Sequence, residues 1–422
     1  MIENPEQAVD PRTYQPQDQL YVWALVDPDN PVLVGEVKLS RLIADCAVFT
    51  YAPGWWNFNL SEDLPIIAGQ SYSAGQRGEA PGALDDARPD RWGERIIQHI
   101  DRPARLSVLE MLLFAGDDRF GALGVSVSAE RYLPRKLGPY AQLNQLTELA
   151  KAVEDIQLQV PMDPAMQRLL QPGASLGGAR PKALLQTQDG PCVIKFSELD
   201  DPVDTPLIEH ATLALAAMAG ITVAQTSTVP LAPRYGKARH ALTIQRFDRI
   251  GKFRLHCLSA RTLLRAAGLT ESYGALATVL LRLAHPDQQV RMREELFRRM
   301  VFNILMDNTD DHERNHALCL GFDGYYALSP AYDVVPSLQK LGYQALIVGA
   351  SGSESTLENA LFHLSEFGIK KPRAQELIRQ VARTVDQWQQ HFARLGVCET
   401  DMELLRSSID RDALRLQRKA YC

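Results

Sequence analysis

Apolar and polar positions change their spacing along this chain. Near the start, residues 21–26 and 32–37 form two apolar runs rich in β-branched and aromatic residues, with a Pro/Asp-rich turn between them. This arrangement predicts a β-hairpin. Residues 183–196 repeat the pattern around Asp189-Gly190, a dipeptide typical of hairpin turns. From residue 259 onwards, apolar residues recur mostly at helical spacing, which predicts a mainly helical C-terminal part.

Helix signals also occur between these segments. Ser107 and Glu110 can form a capping box in front of the apolar run 108–114. The run 208–219 has helical spacing and is followed by Gly220, a residue common just after helix ends. The pattern as a whole therefore predicts an α+β fold.

The length of the chain limits the number of domains. At ~150 residues per domain, 422 residues indicate two or three lobes. With the element pattern, this predicts a small β-rich N-terminal module over 1–125, an α/β lobe over 126–250 and a helical lobe over 251–422.

Charge and hydropathy exclude several classes of protein. The formal net charge is −6, so no global basic field attracts nucleic acid or an anionic membrane. The longest apolar run, 211–224, is shorter than the ~20 residues that a membrane helix needs. The first twenty residues lack a basic segment followed by an apolar stretch. We therefore expect a cytoplasmic protein, in which any nucleic-acid contact is local or supplied by a partner.

The densest polar cluster of the sequence, 308–316, directly follows an apolar helical stretch. Asp310 and Asn315 within it have the D-x-x-x-x-N spacing of protein-kinase catalytic loops, where the Asp accepts a hydroxyl proton and the Asn binds Mg²⁺. A polar turn with Asx caps would have the same composition, and the spacing alone occurs often by chance.

Two further charged residues suit a Mg²⁺–nucleotide site. Asp333 follows the predicted strand 325–329 and could be the second oxygen ligand of the metal, although it could also cap a turn. Lys195 would share a strand face with Val193, and a buried ammonium needs an anionic partner. Glu209 is the candidate, as in the lysine–glutamate pair of kinases. An edge lysine that points into water is the alternative.

A segment of small residues, 173–182, precedes the second hairpin. Small residues let backbone N–H groups approach phosphates, and Arg180 and Lys182 add positive charge. The segment is neither a Walker A nor a G-x-G-x-x-G motif, so a flexible linker is the alternative. The order of small-residue loop, strand lysine, D-x-x-x-x-N loop and late aspartate is that of a two-lobed kinase.

Together these motifs resemble the HipA family, bacterial kinases that act as toxins in toxin–antitoxin pairs. The resemblance extends from about Tyr21 to about Leu377. It rests on the segments 89–93, 116–123, 175–182, 245–249, 309–315 and 332–333.

The resemblance implies a two-lobed, protein-kinase-like fold and an ATP- and Mg²⁺-dependent serine/threonine kinase, with the middle lobe binding nucleotide. Asp310 would be the catalytic base, Asn315 and Asp333 the Mg²⁺ ligands, and Lys195 the phosphate-binding lysine. The other positions it assigns to the nucleotide site are Gln245, Arg246 and Phe247 at the hinge, His312 beside the catalytic aspartate, and Gly177, Gly178, Ala179, Arg180, Pro181 and Lys182 along the phosphates. Arg180, where the family often has Gln, and Pro181 depart from the family pattern and leave the detail of this loop open.

The resemblance also implies regulation and partners. Ser175 aligns with a serine that such kinases phosphorylate on themselves, and a phosphate there would draw the loop out of the ATP site. The expected partners are a helix-turn-helix antitoxin, with DNA bound only through it, and a protein substrate of the aminoacyl-tRNA synthetase class. A small-molecule kinase and an antitoxin-binding corepressor with secondary catalysis are the alternatives.

Overall fold

The computed structural model describes residues 14–135, 138–173, 178–234 and 236–421. The strands are β1 Gln19–Ala24, β2 Val32–Leu39, β3 Ala47–Tyr51, β4 Ser71–Ser73, β5 Leu123–Ser126, β6 Ala141–Gln142, β7 Lys182–Thr187, β8 Gly190–Lys195, β9 Thr226–Arg234, β10 Lys237–Gln245, β11 Arg249–Ile250, β12 Phe253–Arg254, β13 Cys257–Ser259, β14 Ala317–Leu320 and β15 Tyr326–Leu328.

The α-helices follow the same chain order. They are α1 Ala83–Asp86, α2 Arg91–Ile96, α3 Val108–Phe114, α4 Leu146–Leu158, α5 Pro164–Gln167, α6 Thr205–Met218, α7 Ala260–Ala266, α8 Tyr273–Leu283, α9 Gln289–Leu305, α10 Leu357–Ala360, α11 Leu364–Phe367, α12 Lys371–Val385, α13 Trp388–Arg394, α14 Glu399–Ile409 and α15 Asp412–Lys419. The β-rich beginning and the helical end confirm the predicted α+β class.

The contacts divide the chain into two compact units. The first contains the described residues of Met1–Ile194 together with Asp248–Leu258, and the second contains those of Lys195–Phe247 and Ser259–Cys422. These bounds differ from the three predicted segments, because 126–194 belongs to the same unit as the N-terminal module. The three-segment division stays a prediction.

An antiparallel sheet with the strand order β4-β3-β2-β1-β5 begins the first unit. The predicted hairpin is its centre, with Gln19 opposite Lys38 in the register of β1 and β2. Side chains of β3 alternate, so that Ala47, Phe49 and Tyr51 are buried while those between them are half-buried. Helix α3 packs against β1, β2 and β5.

The predicted capping box is present at the start of α3. The Ser107 hydroxyl accepts from the backbone of Leu109, and Glu110 accepts from the backbone N–H of Ser107 at 3.0 Å. Glu110 is fully buried and is neutralised by Arg105, whose Nη2 lies 2.9 Å from Oε1. The capping box therefore satisfies the N–H groups of Ser107 and Leu109 where α3 starts inside the core.

The first unit also contains the second predicted hairpin. Strands β7 and β8 are neighbours, and β6 pairs with β7 in parallel. The turn between β7 and β8 contains Asp189 and Gly190, and Gly190 has a φ of 110°. A residue with a side chain rarely adopts that backbone conformation, so the turn requires glycine at this position.

The second unit is built around α6 and α9. Strands β9 and β10 form an antiparallel pair, and α6 packs on both. Helix α9 contacts α8, α10, α11, α12 and α15, and its Leu296, Met300 and Ile304 are fully buried, as their spacing predicts. Strands β14 and β15 form a short hairpin. None of the helices among the described residues combines the length and apolar character needed to cross a membrane.

Two details of the second unit differ from the sequence-based expectation. Helix α6 begins at Thr205, three residues before the predicted start, because Pro206 occupies its first turn, where the missing N–H costs nothing. Residues 334–356 lie in the part predicted as mainly helical, yet they form turns and isolated β-bridges.

Gly93, which lies in α2, provides a test of packing in the first unit. A Cβ at this position would lie 2.2 Å from the carbonyl oxygen of Pro172 and 2.6 Å from Cβ of Pro89. Overpacking of this kind costs ~1–3 kcal/mol and outweighs the gain in helix propensity. We expect Gly93→Ala to lower the free energy of unfolding by about that amount in a urea titration followed by circular dichroism.

Gly54→Ala is the matched control in the same unit, because nothing lies within 4 Å of the Cβ it would add. Its stability should stay within ~0.5 kcal/mol of wild type. Equal stability of the two variants would contradict the packing described for α2.

Candidate active site

The polar cluster of the sequence forms a loop between α9 and β14. The chain leaves the helix through Asp307, which has a φ of 54° and whose carboxylate accepts from Arg411 at 2.8 Å. Asn308 donates to the side chain of Asn303 on α9 at 3.0 Å. The start of the loop is therefore tied to α9 and to the residue that precedes α15.

Within the loop, hydrogen bonds to the backbone of Asp310 fix its position relative to Asn315. The carbonyl oxygen of Asp310 accepts from the backbone N–H of His312 at 2.9 Å and from the amide Nδ2 of Asn315 at 3.0 Å. The side chain of Asp310 is exposed, His312 is half-buried and Asn315 is buried. The D-x-x-x-x-N spacing thus closes a compact turn that presents one carboxylate to solvent.

Asp311, the neighbour of Asp310, lies in the interior instead of facing solvent. It is buried, and its Oδ2 accepts from the Tyr273 hydroxyl, from Nδ2 of Asn303 at 2.7 Å and from Nε2 of His316 at 2.9 Å. Burial raises the pKa of Asp311, but the His316 charge and these hydrogen bonds outweigh it, and the net pKa is below the ordinary value. Asp311 therefore anchors the loop in its ionised form.

The sequence-based reasoning missed this anchor. Tyr273 is 38 residues from Asp311, and no local pattern separates two adjacent aspartates into an exposed one and a buried one. Of the three side chains that donate to Asp311, His316, five residues after it, is the one inside the polar cluster.

A buried lysine forms the second part of the candidate site. Nζ of Lys195 lies 2.7 Å from Oε1 of Glu209 on α6 and 2.9 Å from Oδ1 of Asp333. Burial lowers the pKa of Lys195, yet the charges of Asp333 and Glu209 more than compensate, so its pKa is above the ordinary value. The predicted pair of Lys195 and Glu209 is present in the structure, and Asp333 joins it.

The backbone at Asp333 is unusual. Its φ is 59°, a left-handed conformation that aspartate tolerates better than most residues. Its N–H donates to Oε1 of Glu209 at 3.2 Å, while its carboxylate receives Lys195. Glu209 thus accepts from the backbone of Asp333 and also pairs with Lys195, which in turn contacts the side chain of Asp333.

The predicted hinge residues lie at the end of β10. Gln245 donates its backbone N–H to Gln225 at 2.9 Å, and Arg246 is buried. The ring of Phe247 stacks on Tyr332 with 5.4 Å between centroids. The Tyr332 hydroxyl donates to the carbonyl of Arg314 at 2.9 Å, so the predicted hinge and the 308–316 loop are connected through one aromatic residue.

Asp248 and Arg249, which end the same sequence motif, belong to the first unit. Asp248 accepts from the backbone of Gly121 and from Arg249, both at 2.9 Å. Arg249 also donates to the Asp118 carboxylate and to the carbonyl of Arg119. These bonds give Asp118 and Gly121 of the 116–123 motif a structural role.

The small-residue loop also belongs to the first unit. Ser175 and Gly177 lie outside the described residues, so their roles stay predictions. Gly178, Ala179, Arg180 and Pro181 lead into Lys182, whose Nζ is buried 2.6 Å from the Asp90 carboxylate and 3.2 Å from the Gly178 carbonyl. Lys182 therefore already has an anionic partner, which the sequence-based assignment to phosphate did not foresee.

The donor set fits Mg²⁺. Oδ1 of Asn315 is buried and has no hydrogen-bond partner among the described residues, while Nδ2 of the same amide is fixed by Asp310. An unpaired hard oxygen and the Asp333 carboxylate are ligands that Mg²⁺ accepts when phosphate oxygens complete the shell. Across the described residues, no group of three or more His, Cys, Asp or Glu could hold a metal by itself.

Comparisons with known proteins place the chain in a family. Residues 174–388 match the model of the HipA-like C-terminal domain, and residues 30–126 match the HipA N-terminal domain. The chain therefore belongs to the HipA family.

A solved structure has the same fold. The HipA chain of the Shewanella oneidensis MR-1 complex of HipA, HipB and operator DNA aligns with 95% of this chain and 97% of its own length, with a TM-score of 0.64 and 17% identity. A Haemophilus influenzae protein named "Putative kinase" is 26% identical over 188 residues, which is 39% of this chain. The match spans about half of that relative, 53% of its length.

The anchor of the 308–316 loop can be tested through stability. Asp311→Ala would leave the Tyr273 hydroxyl, the Asn303 amide and the His316 ring without their shared acceptor. We expect it to lower the free energy of unfolding by about 3 kcal/mol or more. The exposed Asp287→Ala should stay within ~0.5 kcal/mol of wild type, as measured by urea titration.

The pH dependence checks the same anchor with Asp311→Asn. The folded-state pKa of Asp311 is below its ordinary 3.8, so its contribution to stability is present above that value and is lost as the pH falls through the folded-state pKa. The stability difference between wild type and Asp311→Asn should therefore shrink on acidification. A difference that stays constant down to the acid limit of folding would contradict an ionised anchor.

Proposed function

We propose that this chain is an ATP-dependent kinase that transfers the γ-phosphoryl group to a serine or threonine hydroxyl of a protein. The observation that carries the proposal is the arrangement within one unit of the buried Lys195–Glu209–Asp333 cluster and the Asp310–Asn315 loop. Phosphoryl transfer needs positioning and charge stabilisation more than covalent chemistry from the protein, and these groups provide both.

Each residue has a distinct role in this proposal. Asp310 is exposed, so its carboxylate can accept the proton of an incoming hydroxyl group. Lys195 is positioned by its ion pair with Glu209, and its ammonium would contact the phosphates. Asn315 and Asp333 would hold Mg²⁺, which would supply charge neutralisation for the transferred group.

Substrate, partner and regulation rest on the family. We propose an aminoacyl-tRNA synthetase or another translation protein as the substrate, and a helix-turn-helix antitoxin as the partner that carries the toxin to DNA. The Shewanella HipA relative in complex with HipB and operator DNA supports the partner, as does the net charge of −6 of this chain. We include autophosphorylation of Ser175 in the proposal on the family resemblance alone.

The role of Asp310 gives the first test of the kinase. Asp310→Asn keeps the size of the side chain and the backbone acceptor that Asn315 uses, but it removes the base. General acid–base catalysis contributes ~10²–10⁴-fold. We expect a loss of that order in transfer of ³²P from ATP to protein in cell extract, with nucleotide affinity unchanged.

Asp287→Asn, at a highly exposed position of the same unit, should retain the wild-type rate. A wild-type rate in Asp310→Asn would remove the assignment of the base.

Metal binding gives the second test. Asn315→Ala removes one oxygen ligand, and Asp333→Asn removes the negative charge of the other. We expect nucleotide affinity, measured by calorimetry, to fall about tenfold in Mg²⁺, which is ~1.4 kcal/mol, and to be unchanged in EDTA. Asp287→Asn again serves as the control. Loss of the same size with and without the metal would mean that the two residues act on the fold and not on Mg²⁺.

A further inference from the structure

The last helices of the second unit enclose a cavity of about 420 Å³. Small-molecule sites typically measure ~300–1,000 Å³, so a metabolite fits into it. The cavity is lined by four cationic side chains and two carboxylates, which are those of Arg406, Arg415, Arg418, Lys419, Asp386 and Asp410. This lining has an excess of two positive charges, in a chain whose net charge is −6.

The two carboxylates are already neutralised by Arg418. Its Nε lies 2.6 Å from Oδ1 of Asp386, and its Nη2 lies 2.6 Å from Oδ1 of Asp410. The other carboxylate oxygen of Asp410 accepts from the side chains of Trp388 at 3.2 Å and Gln389 at 2.7 Å. Arg418 is almost completely buried. These groups therefore form a fixed, internally satisfied side of the cavity.

The excess positive charge belongs to the other three cations. The side chains of Arg415 and Lys419 are exposed, and neither has a hydrogen bond or an ion pair within the described part of the chain. They are four residues apart on α15, so they lie on one helix face and repel each other. Arg406 pairs only with groups at the edge, as in its 3.1 Å contact with the exposed Glu399. A bound anion would relieve the repulsion within the cavity.

A phosphate ester is the anion that this lining fits best. Guanidinium groups bind phosphate oxygens through paired hydrogen bonds, and a lysine adds a point charge. A phosphate monoester carries about −1.5 to −2 charges at neutral pH, which matches the excess of two positive charges. The cavity is larger than one phosphate group, so the organic part of a small ester can enter with it.

Hydrogen bonds connect this cavity with the start of the 308–316 loop. Nη1 of Arg418 donates to the carbonyl oxygen of Ile409 at 2.7 Å. Two residues further on, Nη2 of Arg411 donates to the carboxylate of Asp307 at 2.8 Å. Asp307 directly precedes the loop. A ligand that restrains α15 therefore also restrains the residue from which the loop begins.

A second set of hydrogen bonds reaches the same residue. The hydroxyl of Ser408, next to Ile409, donates to the carbonyl oxygen of Ser337 at 2.7 Å. The backbone N–H of Ser337 donates to the carbonyl oxygen of Asp307 at 2.8 Å. Both the side chain and the backbone of Asp307 are thus held by residues that adjoin the junction of α14 and α15.

We propose that this cavity is an effector site for a small phosphate ester and that binding there restrains the 308–316 loop. We refer to it as the effector cavity. Binding and restraint do not depend on the kinase proposal. Only their consequence for catalysis rests on the proposed function, because the loop contains the residue that we assign as the base.

Calorimetric titration of the full chain with glucose 6-phosphate tests the binding. A non-hydrolysable ATP analogue and Mg²⁺ are present throughout, so that a phosphate ester does not report on the nucleotide site. We expect glucose 6-phosphate to bind, inorganic phosphate to compete with it, and glucose not to bind. Arg415→Ala and Lys419→Ala should each lower the affinity about tenfold, as expected for the loss of one charge-assisted hydrogen bond.

Lys370→Ala and Lys371→Ala are the matched controls. Both lysines are exposed cations of the same unit, at the beginning of α12. At 1.5 Å per residue they lie about 20 Å along the helix from Asp386. Both variants should keep the wild-type affinity for glucose 6-phosphate.

Hydrogen–deuterium exchange tests the restraint of the loop. The amides of 308–316 should exchange several-fold more slowly when glucose 6-phosphate is bound. Arg411 does not line the cavity, so Arg411→Gln should bind the ester with wild-type affinity and lose the difference in exchange. Asp307→Asn, which keeps the size of the side chain, should behave in the same way.

Several outcomes would overturn the effector cavity. They are failure of both glucose 6-phosphate and inorganic phosphate to bind, equal binding of glucose, and wild-type affinity in Arg415→Ala and Lys419→Ala. Binding of duplex DNA instead of the ester, lost in the same two variants, would also overturn it. Binding without slower exchange in 308–316 would refute the restraint. Neither readout needs phosphoryl transfer, so loss of the kinase proposal and loss of this inference are distinguishable.

Discussion

A lysine ammonium inside the second unit must be neutralised, and much of the candidate site follows from that constraint. Lys195 ends a strand, Glu209 lies on the helix that follows, and Asp333 comes 138 residues after the lysine. Removing the lysine would leave the Glu209 and Asp333 carboxylates without their shared cation, and breaking a buried ion pair in this way typically costs several kcal/mol. Strand, helix and loop must therefore come together for the site to exist, so the fold and the proposed chemistry depend on the same contacts.

The constraint also explains how an aspartate can occupy a left-handed backbone conformation at Asp333. Such conformations persist when the surrounding contacts determine them, and here Glu209 accepts from the backbone while Lys195 holds the side chain. The aromatic stack of Phe247 on Tyr332 connects the preceding residue to the hinge. The position of the proposed metal ligand is thus set by the helix, the strand and the hinge together.

Several of these features could be predicted from the sequence, because their signals lie within a few residues or follow from the cost of burying a charge. The capping box of α3 and both hairpins rest on patterns within a few residues. Pairing of Lys195 with Glu209 followed from the cost of burying a charge. The buried anchor at Asp311 could not be predicted. The adjacent Asp310 is also an aspartate, and Tyr273 is far away in the sequence. The same holds for the pairing of Lys182 with Asp90, residues 92 positions apart.

The most direct measurement is a crystal structure of the full chain with Mg²⁺ and a non-hydrolysable ATP analogue. The account predicts a metal bound to Oδ1 of Asn315 and to the carboxylate of Asp333, with Nζ of Lys195 in contact with the phosphates and still paired with Glu209. A nucleotide bound with its metal on other residues, or phosphates that do not contact Lys195, would contradict the account.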